Sequence, residues 1–265
     1  MQAMLMTQGL VRRFGSTVAV DGLTLSVAPG EVFGLLGRNG AGKSTVIKIL
    51  TTLLPPSAGV ARVAGFDVVT QPAAVRRVIG YVPQALSADG ELTGYENVLV
   101  FAKLFDVPRR LREARIRESL ESMGLSEASD RLVKSYSGGM IRRLEIAQST
   151  LHRPQVLFLD EPTVGLDPLA RHTVWEQVVR LRAKYHSTIL VTTHYMDEAD
   201  RLCDRVAVLH RGRLVAVGTP AELKARLGPH ATLEDVFAHY TADSADQAGG
   251  YDEVSRTRHV TQRVG

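Results

Sequence analysis

The sequence predicts an α/β fold built on a mainly parallel sheet. Three observations carry that prediction. Strand-like apolar runs alternate with helix-like runs along the chain. Four of the apolar runs stop at Gly37, Gln84, Asp160 and His194. The first of them leads into Gly37-Arg38-Asn39-Gly40-Ala41-Gly42-Lys43-Ser44-Thr45, a G-x-x-x-x-G-K-[ST] phosphate-loop pattern between a strand and a helix. Open parallel sheets bind ligands beyond the carboxyl ends of their strands. All four ends are therefore expected at one rim.

Length and composition set bounds. At 265 residues the chain is one large domain or two modest ones. Its 45% hydrophobic and 23% charged residues suit an ordinary globular core. The formal charge is +4, but the basic residues are scattered and form no nucleic-acid stripe. The single cysteine, Cys203, excludes an intrachain disulfide and a cysteine-rich metal site. Its position near a helix end fits a small packed hydrophobe. No apolar run approaches the ~18 residues that cross a bilayer. Met1 to Met6 lack the basic region and apolar core of a secretory signal. The expectation is a chain that neither spans a membrane nor is exported.

The elements follow in order. Leu5 to Val11, Val18 to Val20 and Leu23 to Val27 read as paired strands, with Phe14 on a loop between them. Val32 to Leu36 is the strand before the phosphate loop, and a helix follows to Leu50. Val60 to Gly65 is strand-like, and Val75-Arg76-Arg77 leads into a strand from Val78 to Val82. The texture then turns helical: Glu96 to Phe105, Arg109 to Met123 and Ser137 to His152 carry apolar residues at three- and four-residue spacing. Strands return at Val156 to Asp160 and Thr188 to Thr193, separated by a helix from Pro168 to Lys184. A short helix, strands at Arg205 to His210 and Arg213 to Val217, and helices near 220–227 and 232–240 complete the folded part. The polar, aperiodic tail is expected to be flexible.

The rim residues have complementary chemistry. Glycines at 37, 40 and 42 let the backbone turn its N–H groups inward. Lys43 sits in the first helical turn, where the macrodipole disfavours a cation unless an anion is bound. Asp160 suits Mg²⁺, with the Ser44 hydroxyl as a second ligand. Glu161 follows at once; alternation along a strand would face it away from Asp160, and Pro162 biases it toward extended backbone. A carboxylate here can orient and deprotonate an attacking water. Gln84 can coordinate Mg²⁺ or place water, and His194 can donate to a γ-phosphate. Ser137-Gly138-Gly139 opens a helix of about 16 residues, roughly 24 Å long. A second anion site beside a phosphate loop makes sense if it serves another subunit's nucleotide. Phe14 can stack on a base.

With these residues in view, the chain resembles an ATP-binding cassette ATPase over about 5–240. Gly37 to Thr45, including Asn39, Gly40, Ala41 and Gly42, resembles Walker A, and Val156 to Asp160 resembles Walker B, followed by Glu161 as catalytic glutamate. Gln84 matches the Q-loop, Gly165-Leu166-Asp167 the D-loop, His194 the switch histidine and Phe14 the adenine-stacking A-loop. Tyr136-Ser137-Gly138-Gly139-Met140 resembles the signature Leu-Ser-Gly-Gly-Gln, departing at both ends. The resemblance implies a P-loop NTPase (RecA-like) core, an N-terminal antiparallel β subdomain and an inserted helical subdomain at about 88–152. The nucleotide-binding domain would span 1–240 and the tail 241–265.

The same resemblance implies ATP and Mg²⁺ as ligands. It also implies a second nucleotide-binding domain, identical or paralogous, whose signature completes each ATP site. Tyr136 to Glu145, Thr193 to Ala199, and Leu233 to Phe237 followed by Thr241 are similar to the daunorubicin/doxorubicin-resistance branch of exporters. That branch implies an integral membrane permease as partner and a peripheral place on the cytoplasmic face of the cell membrane. The competing expectation is a soluble cassette ATPase acting on ribosomes or nucleic acid. Such proteins usually carry two cassettes or long coiled-coil insertions, and this sequence has neither.

Overall fold

The computed structural model describes residues 3–242, so the tail expected at 241–265 lies almost entirely outside the described residues. In chain order the elements are β1 (Leu5–Phe14), β2 (Thr17–Val27), β3 (Val32–Leu36), α1 (Lys43–Leu50), β4 (Ala58–Val63), β5 (Phe66–Asp67), α2 (Pro72–Val78) and β6 (Ile79–Val82). Then come α3 (Gly94–Leu104), α4 (Arg109–Ser122), two single 3₁₀ turns, α5 (Gly138–Thr150), β7 (Val156–Asp160), α6 (Pro168–Tyr185) and β8 (Thr188–Thr193). The last are α7 (Met196–Leu202), β9 (Arg205–His210), β10 (Arg213–Gly218), α8 (Pro220–Ala225) and α9 (Leu233–Thr241).

Six strands form the main sheet in the order β10-β9-β3-β8-β7-β6. All of its pairs are parallel except the β9–β10 hairpin. Successive side chains enter opposite layers, as the strand period requires. Leu157, Leu159, Ile189, Val191, Val206 and Val208 join the core beneath the helices α3 to α6. Val156, Phe158, Leu190, Ala207 and Leu209 join the core shared with α1 and a four-stranded antiparallel sheet. That second sheet has the order β2-β1-β4-β5. Burial on both faces explains why β3, β7 and β8 read as continuous apolar runs.

Gly34 on β3 leaves space for α7's end: a Cβ there would lie 2.8 Å from Cys203 Sγ. Burial pushes the Cys203 thiol up to about 12, so it stays protonated and packs as a hydrophobe.

Several boundaries differ from the sequence expectation. Val18 to Val20 and Leu23 to Val27 belong to one strand, β2, which carries Gly22 at φ 67° where its register against β1 shifts. Phe14 is not on a loop but closes β1 opposite Thr17. Val75 to Val78 lies in α2, a helix that Pro72 starts at its first turn; Val78 ends that helix instead of opening β6. The short β5 was not anticipated.

The helical block packs into the same core as the sheet. Val98, Ala102, Ile116, Leu120, Leu144 and Ala147 are fully buried or nearly so and continuous with β7 and β8 side chains. At its edge, Glu118 on α4 gathers Lys184 (2.8 Å), Arg153 (3.0 Å) and the Tyr185 hydroxyl (3.0 Å). The hydrogen bond from Lys184, with those from Arg153 and Tyr185, holds the Glu118 carboxyl down at about 2 against the cost of burial. A carboxyl depressed in the folded state stabilises above its unfolded value of about 4.5 and loses that contribution as pH falls toward 2. Glu118→Gln is expected to lower the melting temperature at pH 7, and the gap from wild type should narrow steadily between pH 5 and pH 3. A gap that stays constant over that range would refute the assignment.

Candidate active site

The phosphate loop leaves β3 and enters α1 through left-handed glycines, Gly40 at φ 82° and Gly42 at φ 106°. A side chain at Gly42 would strike the Ala19 carbonyl. A Cβ on Gly37 would meet the Leu209 carbonyl at 2.8 Å, so the loop lies tight against β9. The loop is further held by hydrogen bonds from Gly212 N–H to the Ala41 carbonyl (3.0 Å) and from Ala41 N–H to the Arg38 carbonyl (3.0 Å). Asn39 and Gly40 stand exposed at its crest, while Ala41 and Lys43 are buried and Thr45 is half-buried. No side chain caps the N-terminus of α1. Its first N–H groups are thus free to meet an anion.

Lys43 is folded back over the loop. Its Nζ donates to the Gly37 carbonyl at 2.7 Å and lies 3.0 Å from Glu161 Oε1. Both side chains are nearly excluded from solvent. The other oxygen of Glu161, Oε2, is 3.2 Å from His194 Nδ1. Beside this chain of charges, Ser44 Oγ donates to Asp160 Oδ1 at 3.2 Å. The Thr192 hydroxyl donates to the same oxygen at 2.6 Å. One rim therefore holds Lys43, Ser44, Asp160, Glu161 and His194 in contact, as the parallel topology requires.

The expected backbone of Glu161 is wrong. It is not extended; its φ is 48°, in the left-handed region. Two hydrogen bonds from its N–H, to the Thr192 carbonyl (3.1 Å) and hydroxyl (2.9 Å), override the bias from Pro162. A left-handed non-glycine residue costs roughly 1–2 kcal/mol. The turn has a geometric result. Strict alternation would face Asp160 and Glu161 apart; the kink returns Glu161 to the side where Lys43 and His194 stand.

The other sequence candidates are placed more loosely. Gln84 lies just beyond β6, but its side chain is exposed, and it is its carbonyl that Arg142 grips at 2.8 Å. Asp167 caps α6, accepting from Leu169 N–H (3.0 Å) and Ala170 N–H (2.9 Å). Ser137 caps α5 by accepting from Met140 N–H at 3.3 Å. Ser137 and Gly138 are exposed, whereas Gly139 is buried where α5 starts against α6: a Cβ there would lie 3.0 Å from Ala170 Cβ. Phe14 is half-exposed, with the Arg12 guanidinium 4.6 Å from its ring centre.

Sequence reading missed three features. Thr192 was only part of an apolar strand, and its partner Asp160 is named by register, not by spacing. Arg142 and Glu145 form a buried pair at 2.9 Å. Arg142 also donates to the Pro83 carbonyl (2.7 Å), and Glu145 accepts from Ser87 N–H, so α5 is clasped to the loop that carries Gln84. Burial pushes the Glu145 carboxyl up and the Arg142 guanidinium down, and their pairing opposes both shifts. Tyr136, which stands where the signature has Leu, is buried and donates its hydroxyl to the Ala128 carbonyl at 2.6 Å. Gly94, at the start of α3, makes room for that hydroxyl.

Chemically, the rim is suited to a polyphosphate with a hard cation. Ser44 and Asp160 supply adjacent hard oxygens, the donor type Mg²⁺ prefers. Among the described residues no group of three or more His, Cys, Asp or Glu could hold a metal alone. Burial, then the charge of Asp160, pushes the half-buried Tyr81 phenol up to about 12, so it is neutral beside the carboxylate.

The family model described as ABC transporter matches residues 20–164, from β2 past Glu161. The daunorubicin/doxorubicin resistance ATP-binding protein DrrA of Streptomyces peucetius is 50% identical over 222 residues, covering 84% of this chain and 67% of that protein. The Nod factor export ATP-binding protein I of Rhizobium sp. (strain N33) is 42% identical over 258 residues, 97% of this chain and 81% of that protein. Among solved structures, an ATP-binding subunit of an ABC transporter superposes with TM-score 0.80 at 30% identity, covering 90% of this chain and all of that one. The cbiO1 subunit from Clostridium perfringens, part of the complex cbiONQ, gives 0.78 at 28% identity, covering 86% and 92%.

Two outcomes are expected from the site. Lys43→Ala should abolish measurable ATP binding in a direct titration, because it removes the one buried cation at the loop; unchanged affinity would refute the cradle. Gly94→Ala should destabilise by about 1–3 kcal/mol through overpacking against Tyr136. In a chemical-denaturation cycle its effect should be less than additive with Tyr136→Phe, by about 0.5 kcal/mol or more; full additivity would show that the two do not touch.

Proposed function

The chain belongs to the ABC transporter family, and from that membership we propose that it is the ATP-hydrolysing subunit of a membrane exporter. The observation that carries the hydrolytic part is the contact chain Lys43–Glu161–His194 beside Ser44–Asp160. Lys43 and the loop N–H groups bind the terminal phosphates of ATP. Glu161 accepts the proton of the attacking water, and His194 orients its carboxylate and the γ-phosphate. When phosphate enters, Lys43 is shared between it and Glu161, which frees that carboxylate for water. Ser44 and Asp160 would hold Mg²⁺, which would supply charge neutralisation to the bound polyphosphate. Gln84 and Phe14 complete the site around the ion and the base.

The exposed Ser137 and Gly138 support a second cassette, identical or paralogous, whose ATP they would meet. Asp167 caps α6 next to Leu166 and Ala170, which pack against Gly138 and Gly139, and we assign it to that same face. A permease is supported by exposed apolar side chains: Leu86 just after Gln84, and Val100 and Leu104 one turn apart on α3. Among the described residues no helix is long and apolar enough to cross a membrane. We assign the membrane path to a separate subunit, with this chain docked at the cytoplasmic face. The clasp between α5 and the Gln84 loop links the docking surface to the signature. The relatives' names, daunorubicin/doxorubicin resistance and Nod factor export, favour hydrophobic or lipid-like cargo.

Glu161→Gln is expected to keep ATP binding, lose turnover by about 10²-fold or more, and trap an ATP-bound dimer in size-exclusion chromatography. Normal steady-state hydrolysis by that variant would remove Glu161 from its role. Pull-down from native membranes should recover a polytopic membrane protein; recovery of ribosomes or nucleic acid would replace export with the soluble reading.

A further inference from the structure

The two acidic residues at the end of β7 are not placed independently. Thr192, on β8, is fully buried and lies opposite Asp160 in the parallel register. Its single hydroxyl touches both acidic residues. The Glu161 N–H can only donate, so it takes a lone pair of Thr192 Oγ1, at 2.9 Å. The hydroxyl proton is left for Asp160 Oδ1, at 2.6 Å, the short distance of a charge-assisted bond. The direction of the relay is thus set: Glu161 N–H to Thr192 Oγ, Thr192 O–H to Asp160 carboxylate.

We propose that Thr192 is a positioning residue for hydrolysis, whose hydroxyl sets the Asp160 and Glu161 carboxylates relative to each other. This rests on the reading of Asp160 and Glu161 given above. The relay has two effects. It holds one Asp160 oxygen between Thr192 and Ser44, so the carboxylate cannot rotate away from the loop. It also keeps Glu161 in its left-handed turn, against the pull of Pro162 toward extended backbone. A valine would fill the same space and supply neither bond. Glu161 N–H would keep only the Thr192 backbone carbonyl at 3.1 Å, and Asp160 Oδ1 only Ser44 at 3.2 Å. The loss falls on the geometry of the acids, while the phosphate loop keeps its own backbone hydrogen bonds and Lys43 keeps its bond to the Gly37 carbonyl.

The test compares wild type with Thr192→Val, Thr192→Ala, Thr192→Ser and Glu161→Gln, using ATPase turnover and ATP titrations in Mg²⁺ and in EDTA. Thr192→Val is expected to lower kcat by about 10²-fold. Its ATP affinity in EDTA should stay within about 2-fold of wild type, while the tightening that Mg²⁺ produces shrinks by roughly 10-fold. Thr192→Ser, which restores the hydroxyl, should return both to within about 3-fold of wild type. Thr192→Ala, which cannot overfill the site, repeats the measurement so that a folding defect peculiar to valine does not decide the outcome. Wild-type turnover and wild-type Mg²⁺ dependence in the valine and alanine variants would overturn the proposal, as would a folded serine variant no better than valine. Glu161→Gln separates the two readings: if it hydrolyses normally, the assignment of the site fails; if it is inactive while Thr192→Val is normal, only the role of Thr192 fails.

Discussion

The parallel register between β7 and β8 is the constraint on which the rest of the site depends. Pairing Asp160 with Thr192 puts a buried hydroxyl between the two acids, and the same alignment continues to β3, where Leu36 lies opposite Thr193. The loop carrying Lys43 and Ser44 therefore leaves the sheet level with the residues that meet it. A slip of one residue would turn every side chain of the strand to the other layer. Two apolar cores, one on each face, make that slip prohibitively costly. The reactive rim is small and polar, but its geometry is held by burial elsewhere.

Charge pairing sharpens the site further. Lys43 and Glu161 are both almost fully buried, and each would be costly alone. Breaking such a pair typically costs ~3–5 kcal/mol. A second anion, a phosphate, can therefore compete for Lys43 only by offering comparable compensation, which an inward-facing set of loop N–H groups helps it to do. The left-handed Glu161 is part of the same arrangement. Its backbone strain is retained because Thr192 supplies two acceptors to one N–H.

The helical block is joined to this rim by polar contacts as well as apolar packing. Arg142 and Glu145 lie one turn apart on α5 and reach three residues of the segment after β6. Motion of that segment cannot occur without disturbing a buried ion pair. Tyr136 shows how a departure from a family motif is absorbed: the larger side chain gains a hydrogen bond to Ala128, and Gly94 leaves the space it needs.

Much of this was legible in the sequence. Phosphate-loop spacing specifies a backbone shape through its glycines, and alternating strands and helices specify a parallel sheet whose ends converge. Lys43, Ser44, Asp160, Glu161 and His194 were identified on those local grounds, and they meet. The sequence could not reveal which residue lies across from which. Thr192 looked like an ordinary strand residue until register placed it opposite Asp160; Arg142 and Glu145 carried no local sign of a buried pair until packing brought them inside. Pro162 favoured an extended Glu161, yet bonds from a strand 31 residues away reversed it. Local chemistry acts over a few residues and is written in their order. Register, burial and the partners of a buried polar group depend on contacts between distant segments, and these exist only once the sheet has formed.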